Sequence, residues 1–224
     1  MNHQPATELP SQDESWWATV EEFSAREAAL LRSLDWAGVE RLAREYFERA
    51  ESAYAAALFA QSRATSLAAL GRDSESLAAS ELAEQLAPVE PYFKLNLARR
   101  LIGEFARPAE GLAKLAEAEP LLEADMRGGW LTEMGLGLLA VGRDDEAVAC
   151  FRELTMPQRL TRLQNWDRVW LVDLRLVSNL VAKRLVPELC VAYLEAAEAI
   201  GVRHEPDKLG PVRDLLKEAR AAGA

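Results

Sequence analysis

The sequence predicts an all-α fold: a right-handed solenoid of about five helical hairpins, closed by a C-terminal capping helix. Three observations carry this expectation. A short motif recurs in register, as Gly71-Arg72-Asp73-Ser74-Glu75, Ala106-Arg107-Pro108-Ala109-Glu110 and Gly142-Arg143-Asp144-Asp145-Glu146, starting 35 and then 36 residues apart. A fixed period in the mid-thirties marks helical hairpins that bury their apolar faces by stacking on one another. Each copy follows an apolar helical stretch and precedes small or apolar residues at helical spacing (Leu77 and Ala78, Leu112 and Ala113, Ala147 and Val148). No segment alternates with the two-residue period of a half-buried strand.

The elements follow in order. Residues 1–12 hold two prolines and mostly polar side chains, and are expected to form a flexible tail ahead of a single repeat domain over 13–224. Ser11 and Glu14 are spaced as a capping box for a first helix carrying Trp16, Val20, Phe23, Leu30 and Leu34. Trp36–Leu70 is too long for one globular helix, and the polar Glu51-Ser52 pair is the expected break. Gly71 ends a helix, and Asp73 or Ser74 is expected to cap the next. Pro88 and Pro91 close that helix and open another near Tyr92, while Pro108 suits a first turn. Pro120 and Gly128-Gly129 bracket a further segment. Gly142 then divides a helix over Trp130–Val141 from one over Asp144–Leu154. A polar connection over Pro157–Asn165 leads to helices expected at Trp166–Arg184 and Pro187–Ile200. A loop through Gly201 and Pro206 precedes the last helix, about Pro211–Ala221.

Composition excludes several function classes. The 26 Lys and Arg stand against 36 Asp and Glu, a net charge of −10 that repels nucleic acid and anionic membranes. Half the residues are apolar, enough for a core, yet no stretch has the length of a membrane span. The first residues have neither the basic start nor the apolar run of a signal peptide, so the expectation is a cytoplasmic protein. Cys150 and Cys190 are expected to be buried free thiols, since two cysteines make no disulfide framework.

The stretch Trp130-Leu131-Thr132-Glu133-Met134-Gly135, with Leu138, Gly142, Ala147 and Phe151, resembles a tetratricopeptide repeat. The resemblance assigns Gly135 and Ala147 to close helix crossing, Leu138 to filling between helices, Gly142 to ending the first helix, and Phe151 to packing on the next unit. Corresponding positions are Ala64, Leu67, Ser76 and Ser80, with Pro88 closing, then Ala98, Leu101, Gly111 and Leu115. A further unit is read through Val177, Leu180, Leu189 and Tyr193, and an N-terminal one with Trp36 in the place of the turn glycine. The resemblance spans about residues 50–200.

That resemblance implies a concave groove, lined by the first helices of successive hairpins, that holds a peptide. The groove positions are Gln61, Thr65, Asn96, Arg99, Glu133, Arg175 and Asn179. Some family members clamp a partner's C-terminal carboxylate with Lys, Asn and Arg. Here Gln61 and Thr65 replace the Lys and Asn of the first unit, and Gly129 and Glu133 replace a basic pair. That clamp is therefore not expected. Arg99, Asn96 and Arg175 are expected to anchor polar or acidic groups, with Glu133 restricting which partners fit.

A second candidate surface is a local charge reversal. Pro157–Arg184 carries six basic residues (Arg159, Arg162, Arg168, Arg175, Lys183, Arg184) against Asp167 and Asp173, with Trp166 and Trp170 interleaved. Arg with Trp is the composition of interface anchors. The first reading is that these charges pair with neighbouring acidic helices while both tryptophans fill the core; a binding surface for an acidic peptide or protein is the alternative. In Trp16-Trp17, neighbours point about 100° apart on a helix, so one can enter the core and the other lie at its edge.

Enzyme signatures are missing. His3 falls in the expected tail and His204 in an expected loop; with Glu205 and Asp207 but no second His or Cys, no metal site is predicted. Met134-Gly135-Leu136-Gly137 lacks the strand–turn–helix context of a phosphate loop, and Asp144-Asp145-Glu146 suits a helix start. The expectation is a non-catalytic adaptor, chaperone or assembly factor. It would bind a protein or peptide, acidic groups among its targets, without cofactor, nucleic acid or membrane. A self-assembling homo-oligomeric scaffold is the first alternative. An enzyme or small-ligand sensor, with a pocket between hairpins under a Pro157–Asn165 lid, is the second.

Overall fold

A computed structural model describes residues 15–157, 159, 174–204 and 206–223. The described residues form eleven α-helices and no strand, so the chain is all-α. They are α1 (Ser15–Arg32), α2 (Trp36–Glu48), α3 (Ala53–Ala69), α4 (Asp73–Leu86), α5 (Pro91–Gly103) and α6 (Pro108–Ala118). There follow α7 (Arg127–Ala140), α8 (Asp144–Leu154), α9 (Arg175–Ala182), α10 (Pro187–His204) and α11 (Gly210–Ala222). They divide into two compact units, one running to Val89 and one starting at Glu90.

In the first unit, α1, α2 and α3 meet at an aromatic cluster. Phe23 lies 4.8 Å from Phe59 and 5.4 Å from Tyr46, centroid to centroid. Tilted and edge-on rings add to the area term because their quadrupoles attract in that geometry. Trp16 turns inward onto Tyr54 at 5.8 Å, while Trp17 stays 52% exposed, the split expected of adjacent helical residues. α3 ends and α4 returns against it, with Ser76 donating its hydroxyl to the Ala64 carbonyl at 2.8 Å. Only a small side chain permits that approach.

The second unit is built from α5/α6, α7/α8 and α9/α10, with α11 packed along α10. The first helices α5, α7 and α9 also pack on one another in order. Trp130 is buried and donates its indole N–H to the Leu115 carbonyl at 2.8 Å, tying α7 to α6. A Cβ on Gly135 would meet Leu176 Cδ2 at 2.8 Å, so the α7–α9 approach needs glycine there. Phe151 packs edge-on against Tyr193 at 5.5 Å, joining α8 to α10. The final helix buries Val212, Leu215, Leu216 and Ala219 in the same core.

The turns explain the recurring motif. Leu34, Gly71, Ala106, Gly142 and Arg184 each adopt positive φ between a helix and its successor, at 55°, 71°, 51°, 78° and 56°. At four of them the next N–H donates to the carbonyl five residues back: Asp35 to Leu30, Arg72 to Leu67, Arg143 to Leu138, and Leu185 to Leu180. This satisfies carbonyls that a helix end leaves open. At the remaining turn the bond runs from Arg107 to Leu101, one residue longer. The acceptor is leucine every time. The Arg and Glu of the motif close on each other as two-pronged pairs, Arg72 with Glu75, Arg107 with Glu110 and Arg143 with Glu146. Each arginine holds its exposed partner's carboxyl below the usual range.

Several boundaries correct the sequence reading. Arg72, not Asp73 or Ser74, occupies the N-cap of α4, without a side-chain cap bond. Leu34 rather than Trp36 takes the left-handed turn position, and Trp36 opens α2. Gly128 and Gly129 fall inside the first turn of α7, which starts at Arg127. Gly201 continues α10 as far as His204 instead of opening a loop, because Ile200 and Gly201 remain buried. α9 ends at Ala182, with Lys183 and Arg184 in the turn. The expected tail and capping box, and most of the Pro157–Asn165 connection, lie outside the described residues.

Candidate functional site

Three charged side chains converge from α5, α7 and α9. Arg99 Nε donates to Glu133 Oε1 at 2.7 Å. Arg175 donates to the same carboxylate, Nη2 to Oε1 and Nη1 to Oε2. Glu133 is 2% exposed, whereas the arginines are 50% and 43% exposed. A buried carboxylate survives only with charged donors to repay its lost hydration, and two guanidiniums do so here. The reciprocal effect is order: each long side chain is held in one rotamer by a charge-assisted bond worth about 1.5–3 kcal/mol.

Helix geometry supplies the flanks. Asn96 lies one turn before Arg99 and donates its amide to the Tyr92 carbonyl at 2.9 Å; Asn179 lies one turn after Arg175 and donates to the Arg175 carbonyl at 2.9 Å. Asn96, Arg99, Glu133, Arg175 and Asn179 thus lie on three neighbouring helices of one unit. Gln61 and Thr65 belong to α3 in the other unit. Gln61 is buried, its Oε1 without a hydrogen-bond partner among the described residues, and the Thr65 hydroxyl donates to the Gln61 carbonyl at 3.1 Å.

Of the second candidate surface, Arg162, Trp166, Arg168 and Trp170 lie outside the described residues. Arg159 donates to Glu153 at 3.1 Å and Lys183 to Asp144 at 2.7 Å, so these charges pair with acidic side chains. Glu153 also accepts from Arg127, whose guanidinium stacks 4.2 Å from the Trp130 centroid and reaches Glu119 at 3.0 Å. Arg127, more than Arg159, holds the Glu153 carboxyl below its usual range. Glu119, Leu122, Arg127, Met156 and Arg159 line an open cavity of 460 Å³ of mixed charge.

Sequence reasoning missed two features. Glu133 is the buried centre of the site rather than an exposed filter. Its position three residues after Trp130 and four before Gly137 puts it on the inward stripe of α7, a readable signal. Lys94 and Arg100 are also buried, paired with Glu117 at 3.1 Å and Glu104 at 2.8 Å. Both cysteines are free, as expected: Cys190 is buried, and burial pushes its thiol up to about 11, while Cys150 is only half-buried and its thiol is also raised by burial.

Among the described residues no group of three or more His, Cys, Asp or Glu is disposed to hold a metal ion, and no helix is long and apolar enough to cross a membrane. Comparison with protein-family models, curated proteins and solved structures finds no match for this chain.

Proposed function

We propose that this chain is a non-catalytic protein- or peptide-binding module, an adaptor, chaperone or assembly factor, whose working surface is the face of α5, α7 and α9. The observation that carries the reading is the Arg99–Glu133–Arg175 triad: neighbouring helices present half-exposed guanidiniums, already ordered by one buried carboxylate. A surface ordered in advance loses less entropy when a partner docks.

The finer architecture belongs to the same proposal. It is a right-handed tetratricopeptide-like solenoid of about five hairpins, with α11 as its cap. Support comes from five turns sharing a left-handed residue and a leucine acceptor, and from the ordered packing of α5, α7 and α9. A pull-down from the native host tests the function, using the intact chain beside an Asn179→Trp variant shown by circular dichroism to stay folded. Asn179 is exposed on α9, so the indole would obstruct the face without entering the core. A partner held by the parent and lost by the variant is the expected result. Equal capture by both would refute the assignment of the face.

A further inference from the structure

We infer that this chain pairs with a second copy of itself through the outward face of α1, antiparallel, with the two-fold axis beside Ala25. The inference concerns the unit that runs to Val89 and is independent of the reading of the α5–α7–α9 face.

Two exposed apolar side chains mark the ends of that face. Trp17 is 52% exposed, and its ring rests 4.6 Å from Trp16, which is itself seated on Tyr54. An aromatic side chain held in place and still open to solvent is the kind of anchor that interfaces use. Leu34 is 70% exposed at φ 55°, a conformation that strains any side chain with a Cβ. Gly71 and Gly142 hold the same position in their turns without that strain, and so exposed a leucine gains little from its own fold. A contact outside the chain accounts for a leucine there.

Between those ends, Ala18, Glu21, Ala25, Ala28 and Arg32 recur at spacings of three and four, and all are exposed. That is the spacing at which one helix seats against another, and the small alanines let the two axes approach. The face is also polarised, with Glu21 toward its N-terminal end and Arg32 toward its C-terminal end. Neither has an ion-pair partner among the described residues.

Complementarity to its own antiparallel copy identifies the occupant. At 1.5 Å per residue, Trp17 and Leu34 stand about 12 and about 14 Å to either side of Ala25. A two-fold axis there lays Trp17 of each copy beside Leu34 of the other and sets Ala25 against Ala25. Glu21 and Arg32 fall about 6 and about 11 Å from the axis, an offset that the long arginine stem spans. Parallel pairing would instead oppose glutamate with glutamate and arginine with arginine. Every favourable contact occurs twice, as a self-complementary patch requires. One helix face is smaller than the roughly 800 Å² per partner of a standard interface, so the dimer is weak, with Kd on the order of 10 μM.

The experiment is sedimentation velocity of the intact chain across the micromolar range, in which the parent should pass from monomer to dimer. Glu21→Arg and Arg32→Glu should each weaken the dimer about tenfold, because each sets like charges against one another at two symmetric places. The Glu21→Arg/Arg32→Glu protein should dimerise as the parent does, a rescue that damage to the fold would not give. Trp17→Ser should weaken the dimer about tenfold or more. A parent that stays monomeric, single charge swaps that leave the dimer unchanged, or a double swap that does not restore it would overturn the pairing. A monomeric parent that captures a host protein, lost in Trp17→Ser, would also overturn it and give the α1 face to a different partner.

Discussion

Exchanging alanine and glycine at the left-handed positions of two turns should move stability in opposite directions. Ala106 sits at φ 51° and Gly142 at φ 78°, both in the unit that starts at Glu90. An L-residue in the left-handed region costs roughly 1–2 kcal/mol, because Cβ crowds the following carbonyl oxygen. Glycine avoids that cost but loses about 0.5–1 kcal/mol more chain entropy on folding. The difference is about 0.5–1 kcal/mol, favouring glycine at both sites. No atom lies within 4 Å of a Cβ built at Gly142, so Gly142→Ala reports the backbone alone. Ala106→Gly should therefore stabilise the unit and Gly142→Ala destabilise it, each shifting Tm by roughly 1–4 °C in a chain of this size. Thermal and urea unfolding followed by far-UV circular dichroism reads both. Shifts of the same sign, or a less stable Ala106→Gly protein, would refute the claim that the motif's first residue is chosen for its dihedral angle.

Other perturbations follow from the packing and the ionisable groups. Gly135→Ala would drive a methyl to 2.8 Å from Leu176 and should cost about 1–3 kcal/mol by overpacking the α7–α9 contact, measured by urea denaturation. Trp130→Phe loses the bond to Leu115 and the best face for Arg127, and should cost about 1–3 kcal/mol in the same assay. Arg127 holds the Glu153 carboxyl, and Lys94 the Glu117 carboxyl, below the ordinary 4.5. Their contribution is complete above that value and is lost as pH falls below it; Glu153→Gln should flatten the acid limb of a stability–pH curve. The Cys190 thiol is pushed up from 9.0 to about 11, so its contribution is present below pH 9 and lost as pH rises toward 11. A Cys190→Ala protein should lose stability less steeply than the parent across that alkaline window.

Much of the fold was legible because punctuation residues act locally. Pro91 and Pro108 begin helices, Gly71 and Gly142 end them, and the Glu51-Ser52 break falls between α2 and α3, where Ser52 caps α3. The boundaries that failed were decided by tertiary contacts. Gly201 stays helical because its segment is buried, and Gly128-Gly129 are drawn into α7 as Trp130 seats against α6. Leu34 and Arg184 take left-handed turns that nothing in their side chains announces; the tie of the next N–H to a leucine carbonyl imposes them. Of the site, the helix register placed Arg99, Glu133 and Arg175 on successive first helices. What it could not supply was depth: Glu133 had the spacing of an inward residue, but its charge argued for solvent until two arginines were seen to offset its burial.

Site-directed photo-crosslinking tests the central claim most directly. A benzophenone amino acid would be introduced singly at Asn96 on α5 and Asn179 on α9, and for comparison at Ala113 on α6 and Ala149 on α8, both exposed. After irradiation in the native host, the α5–α7–α9 account predicts a shared partner adduct from Asn96 and Asn179 and none from Ala113 or Ala149. Adducts from Ala113 or Ala149, with Asn96 and Asn179 silent, would contradict it and move the binding surface to the second helices.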